Sequence, residues 1–211
     1  MNVLIIVAHH DDLELGCGGT VAKLVEKGHQ VTSLVMTHSG YTNADGVVVR
    51  KREDALAEAG AASAVLGYRL LCGEEDTFDI PVKDANICRI LAAIREYQID
   101  TLFTHWHGDT HPPHQNVHTM AMHAARRVPR VFGFAVNWYL GAEPFAPSMF
   151  IELSEPQWQA KVRALASYRS EHERTGGEWV EYFNRQTLNF GKQLGVARAE
   201  GFVAYKNLWE F

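Results

Sequence analysis

Cysteine is scarce in this chain: three in 211 residues, Cys17, Cys72 and Cys88, with no C-x-x-C pair. An odd, unpatterned set argues against a disulfide framework and fits a reducing, cytoplasmic compartment, each thiol acting as a small buried apolar group. Long apolar runs are missing too. The N-terminal run, Val3 to Ala8, is far too short to span a bilayer, and no positively charged region precedes it. Neither a membrane span nor a secretory signal is therefore expected. Basic excess is also absent: the formal net charge is −5 and the pI about 6.1, which gives no electrostatic footprint for nucleic acid or acidic lipid. Repeats, low-complexity tracts and linkers are lacking, so residues 1–211 are expected to form one domain.

What is present is strand–helix alternation. Val3 to Ala8 reads as a buried strand. Gly18-Gly19-Thr20 then opens a helix that Gly28 closes. QVTSLVMT is a second strand, TNADGVVV a loop, and REDALAEAGAASAVLG an Ala-rich helix stopped by Gly67. YRLLCG, DTLFTHW and RVFGFAVNW read as further strands, with CRILAAIREY and HQNVHTMAMHAARR as the helices between them. SMFIEL and EGFVAY are short late strands around the helices EPQWQAKVRALASYR and EWVEYFNRQTLNFGKQLG. This order predicts a Rossmann-like, three-layer α/β fold with a mostly parallel sheet.

In such sheets ligands bind beyond the carboxyl ends of the strands. AHHDD follows the first strand, and THWHGDTHPPH follows the fourth, so two His/Asp-rich turns are expected on one edge. His105 to His123 holds six of the eleven histidines. Imidazole beside carboxylate suits zinc or another first-row divalent ion, and a catalytic zinc takes three protein ligands. Spacing alone leaves the choice of ligands open; His114 and His118, one helical turn apart, are one pair. Trp106, Trp138 and Tyr139 follow strand ends, where aromatics either stack on sugar rings or pack the core. GCGGT lacks the third glycine of a dinucleotide fingerprint, Val21 standing in its place, and is read as a close-packing turn.

AHHDDLELGCGGT is similar to the A-H-P-D-D-E signature of the PIG-L/LmbE-like zinc-dependent N-deacetylases, and HPPH at 111–114 to their H-P-D-H. The likeness continues through R-x-x-E from Arg50 to Glu53, an aspartate turn at Asp76 to Asp79, and the late GVARAEGFV. It implies zinc ligands at His9, Asp12 and His114, a general base at Asp11, and at His111 the residue that stabilises the transition state and protonates the leaving amine. The implied site lies at the carboxyl ends of the strands. The implied substrate is a small N-acetylated amino sugar or sugar conjugate, and a homo-oligomer is compatible with the sequence. Arg50 and Arg52 are candidate substrate-binding residues, solvation being the other reading. His105, His107, His118 and His123 are expected to be structural or exposed, since three ligands fill the site.

Two positions depart from the family pattern. His10 replaces a stiffening proline, which implies a looser turn or a further polar contact to substrate. Pro113 replaces the aspartate that would orient His111, and Asp109 is the local substitute, expected to hold His111 protonated. The competing functions are zinc hydrolysis of a non-sugar amide and non-catalytic binding of metal or carbohydrate. Intact Asp11 argues against a mere binder, which needs no base.

Overall fold

The computed structural model describes residues 1–138, 141 and 143–208. Its first strand, β1 (Asn2–Val7), lies inside a seven-stranded sheet, flanked by β2 (Gln30–Thr37) and β6 (Thr101–His105). The strand order is β5 (Arg69–Glu75), β2, β1, β6, β7 (Arg130–Phe134), β9 (Ala199–Asn207), β8 (Met149–Glu152). The first five are parallel; β9 runs antiparallel to both β7 and β8. The chain builds outward from β1 first through β2 and β5, then through β6 and β7. The switch point is therefore the crevice between β1 and β6, where ligands of open parallel sheets bind.

Both faces of β1 are covered. Val3, Ile5 and Val7 point into a core with residues of α1 (Asp12–Glu26), α2 (Arg52–Leu66), α5 (Glu155–Leu165) and α7 (Glu178–Leu194). Leu4, Ile6 and Ala8 point into a second core with α3 (Asp84–Glu96) and α4 (Pro112–Ala124). The two-residue period of the strand thus sorts a continuous apolar run into two layers, giving the expected α/β/α arrangement. Among the described residues no helix is long and apolar enough to cross a membrane.

Three local expectations need correction. TNADGVVV is not a plain loop: β3 (Tyr41–Thr42) pairs with β4 (Val48–Arg50) in a small hairpin, with Gly46 at φ +77° in its turn. The polar stretch before Gly176-Gly177 contains α6 (Arg169–Thr175), which its lack of apolar periodicity concealed. Finally, α1 begins at Asp12 rather than at Gly18, and is broken at Cys17, whose φ/ψ of −149°/20° is not helical. The glycines serve packing here. A Cβ on Gly16 would run into the Phe134 ring, and one on Gly19 into Leu153.

The break in α1 frees backbone groups that must be satisfied in the interior. Lys161 Nζ, fully buried, donates to the Leu15 carbonyl and to Glu200 Oε1, both at 2.7 Å. Glu200 accepts the Gly19 and Thr20 amides at 3.1 and 2.7 Å. One buried ion pair thereby clamps both sides of the kink. Replacing Lys161 by Met should cost about 3–5 kcal/mol by leaving Glu200 as an unpaired buried charge. Lys161→Met/Glu200→Gln should recover part of that loss. Urea unfolding of the three proteins measures it, and no recovery would show that charge imbalance is not the cause.

Candidate metal centre and active site

The first polar cluster is shaped by the turn from β1 into α1. The His9 amide donates to Asp12 Oδ2 at 2.7 Å, which folds the Asp12 side chain back over the strand end. The second cluster is set by Pro112 and Pro113, which occupy the first two positions of α4, where no amide hydrogen bond is needed. They start the helix so that buried His114 faces the crevice.

His9, Asp12 and His114 meet there. His9 Nδ1 lies 3.2 Å from His114 Nε2 and 3.4 Å from Asp12 Oδ2; His114 Nε2 lies 3.4 Å from Asp12 Oδ1. A tetrahedral ion with bonds of about 2.0–2.1 Å sets its ligand atoms about 3.3–3.4 Å apart; the two imidazole nitrogens are close to that spacing, and Asp12 turns a different oxygen toward each of them. The tautomers suit such an ion. His9 Nε2 donates to the Thr77 carbonyl at 2.8 Å, and His114 Nδ1 donates to Asp109 Oδ2 at 3.0 Å. With each ring neutral, the nitrogen facing the other two residues is the one left with a lone pair.

The electrostatics favour a cation at the same point. Burial alone would lower the His114 pKa, but Asp12 and Asp109 outweigh it and raise it to about 10. Burial would raise Asp12, yet His114, His105 and His9 hold it well below the usual carboxylate range. Two further histidines approach the triad. A ring nitrogen of His111 lies within 4.8 Å of those of His9 and His114, and one of His105 within 4.8 Å of Asp12 and His114. His105 is fully buried, stacked on His114 at 4.0 Å, and its Nε2 accepts the Ala8 amide 3.2 Å from Asp12. It braces the cluster from behind. His118 spends its Nδ1 on the His105 carbonyl, at 2.9 Å, and does not pair with His114. His107 and His123 are exposed.

A cavity of about 270 Å³ opens onto the triad. Asp11, at the head of α1, lines it, with Arg50 Nη1 3.9 Å from its carboxylate. Burial raises the Asp11 pKa to about 6 against the opposing pull of Arg50. His111 lines it as well, its ring 4.6 Å from that of His114. Burial, then the neighbouring His114 and His9, lower the His111 pKa to about 4.

Several expected placements change. The Asp109 carboxylate does not engage the His111 ring. It accepts the His111 backbone amide at 2.8 Å and the Asn137 amide at 2.7 Å, and turns its other oxygen to His114. Arg52 lies outside the cavity and pairs with exposed Glu74 at 2.9 Å. His10 is buried with both ring nitrogens unpartnered; burial and Arg50 lower its pKa to about 4, and it makes no cavity contact. Its carbonyl accepts the Tyr168 hydroxyl at 2.5 Å. Trp106 is buried against Phe145, Trp138 lines the cavity, and Tyr139 falls outside the described residues. The sequence reading missed Thr77, Asn137, Glu171 and Arg174, all of which line the cavity. Asn137 follows the carboxyl end of β7, and the strand-end rule that singled out Trp138 could have included it. Glu171 and Arg174 sit on the unforeseen α6 and gave no signal.

A protein of Escherichia coli K12, described as the uncharacterized deacetylase YaiS, is 28% identical over 173 residues, covering 80% of this chain and 90% of its own. The diacetylchitobiose deacetylase of Thermococcus kodakarensis is 26% identical over 94% of this chain and 81% of its own. The crystal structure of a conserved protein from Thermus thermophilus superimposes with a TM-score of 0.79 at 26% identity, covering 100% of this chain and 97% of that one. Residues 4–125, more than half of the chain and reaching from within β1 to the end of α4, match the family described as PIG-L, GlcNAc-PI de-N-acetylase, and the chain belongs to that family.

Proposed function

We propose that residues 1–211 form one domain that hydrolyses the N-acetyl amide of an amino sugar or sugar conjugate, with zinc held by His9, Asp12 and His114. The observation that carries this reading is the meeting of His9, Asp12 and His114, the two imidazole nitrogens 3.2 Å apart and each 3.4 Å from its own oxygen of Asp12, with both rings held by outer partners. The sugar is supported by the relatives and by the aromatic side chains in the cavity. Three unpaired cysteines support a reducing, cytoplasmic setting.

A divalent ion bound there supplies Lewis acidity toward the amide oxygen and lowers the pKa of water. The remaining work falls to this chain's side chains. Asp11, with its carboxyl near neutrality, takes a proton from the attacking water as the water oxygen adds to the acetyl carbon. His111, with no carboxylate on its ring, donates a hydrogen bond to the carbonyl oxygen as negative charge grows on it. The carbon–nitrogen bond then breaks, and the proton held by Asp11 passes to the departing amine. Acetate and the free amino sugar remain. Arg50 keeps Asp11 oriented and limits how far burial can neutralise it.

Acetate release from a panel of N-acetyl sugars and non-sugar acetamides tests the reading. Stoichiometric zinc with no turnover would favour a binding protein, and turnover of the non-sugar amides alone would remove the sugar. Asp11→Asn should keep its metal and lose a factor of about 10²–10⁴ in kcat. His114→Ala should lose the metal, and unchanged metal content would overturn the ligand assignment.

Asp109→Asn should weaken zinc affinity by about 10–100-fold, because its carboxylate orients a ligand rather than the His111 ring. Competition with a chromophoric chelator measures this directly. Unaltered affinity with a shifted pH–rate profile would return Asp109 to His111.

A further inference from the structure

The charges lining the cavity are matched within the protein. Among the described residues two arginines line it, Arg50 and Arg174. Arg50 is buried 3.4 Å from Glu58, 3.7 Å from Glu171 and 3.9 Å from Asp11. Arg174 gives Glu171 its Nε at 2.7 Å and its Nη2 at 2.6 Å. Glu171 is 3% exposed and also accepts the Tyr41 hydroxyl at 3.2 Å. Positions 139, 140 and 142, which follow Trp138, are Tyr, Leu and Ala and add no cation. A divalent ion at the triad would face Asp12 and Asp11, so its charge is met from within as well.

The exposed edge is acidic and aromatic. Phe78 is 57% exposed, edge-on to the Tyr41 ring at 5.4 Å and to His111 at 6.2 Å. Asp76 and Asp79, in the same turn, are exposed, and Trp138 and Trp179 line the cavity with Phe78. Such rings bury the C–H face of a neutral pyranose well. An anion has a different reception. It meets exposed Asp76 and Asp79 first, and at Arg50 and Arg174 it meets guanidinium groups already faced by the Glu171 carboxylate, whose charge repels it.

We propose that this site selects an electrically neutral N-acetylated sugar or glycoside over a phosphorylated or nucleotide-linked one. The inference rests on the deacetylase reading for the N-acetyl group and on the Arg50–Glu171–Arg174 network for the discrimination. The test uses zinc-loaded enzyme and two readouts. Acetate release compares N-acetylglucosamine and N,N'-diacetylchitobiose with N-acetylglucosamine 6-phosphate and 1-phosphate. Quenching of tryptophan fluorescence compares binding of glucose with that of glucose 6-phosphate and needs no turnover. The neutral compounds should lead by on the order of 10–100-fold in both kcat/KM and affinity. Glu171→Gln, which frees guanidinium groups without changing shape, should shrink that ratio severalfold toward one. Equal or tighter use of the phosphorylated compounds overturns the proposal, as does an unchanged ratio in the variant. Neutral preference in binding without acetate release from any sugar keeps the selectivity and overturns the deacetylase reading. Binding of neither ligand overturns the sugar site itself.

Discussion

One buried carboxylate, that of Asp12, joins the two sides of the sheet's switch point. One oxygen accepts the His9 amide and lies against His105 at the end of β6; the other lies against His114 on α4. A carboxylate taken from water unaided would protonate. This one is held ionised chiefly by His114, whose Nε2 faces it at 3.4 Å. The strand end, the helix start and the second histidine turn are therefore electrostatically one object. The helix beyond follows from the same turn, since a glycine-rich segment is what lets α1 lie close enough to Phe134 and Leu153 to keep that geometry.

Much of this was legible from residue types alone. A short apolar run ending in four titratable residues marked β1 and its site, and the later His-rich turn marked its neighbour on the same edge. Parallel-sheet topology then brought both to the β1/β6 crevice. What stayed hidden lacked a periodic signal. Helix α6 is almost wholly polar, so neither it nor Glu171 and Arg174 could be foreseen. The start of α1 was misplaced because glycines argue against helix on propensity, while here packing demanded them inside one. Arg50 and Arg52 looked equivalent in sequence, yet a two-residue step separates a buried hairpin end from an exposed helix turn.

The exchange of aspartate for proline at 113 changes where negative charge enters the second cluster. Pro113 stiffens the entry to α4 and carries no charge; Asp109, on the loop before it, supplies the carboxylate. Because Asn137 and the His111 amide bind the same carboxylate, three segments of chain are pinned through one group. Asp109 thus supports His114 directly and His111 only through its backbone. That division separates the setting of the His114 ring from any influence on the His111 ring.

The clamp on α1 also bears on how the molecule is made. Every residue of the triad has been synthesised by position 114, but the kink beside Asp12 is closed by Glu200, 181 residues beyond Gly19. Contacts of such sequence separation form late and slow folding. The nascent chain on the ribosome carries all the donor atoms long before the last strand can fix the helix that bears one of them. The turn that carries Asp12 is therefore fixed only after β9 has joined the sheet, so the order of the cluster waits on a strand made long after its own side chains.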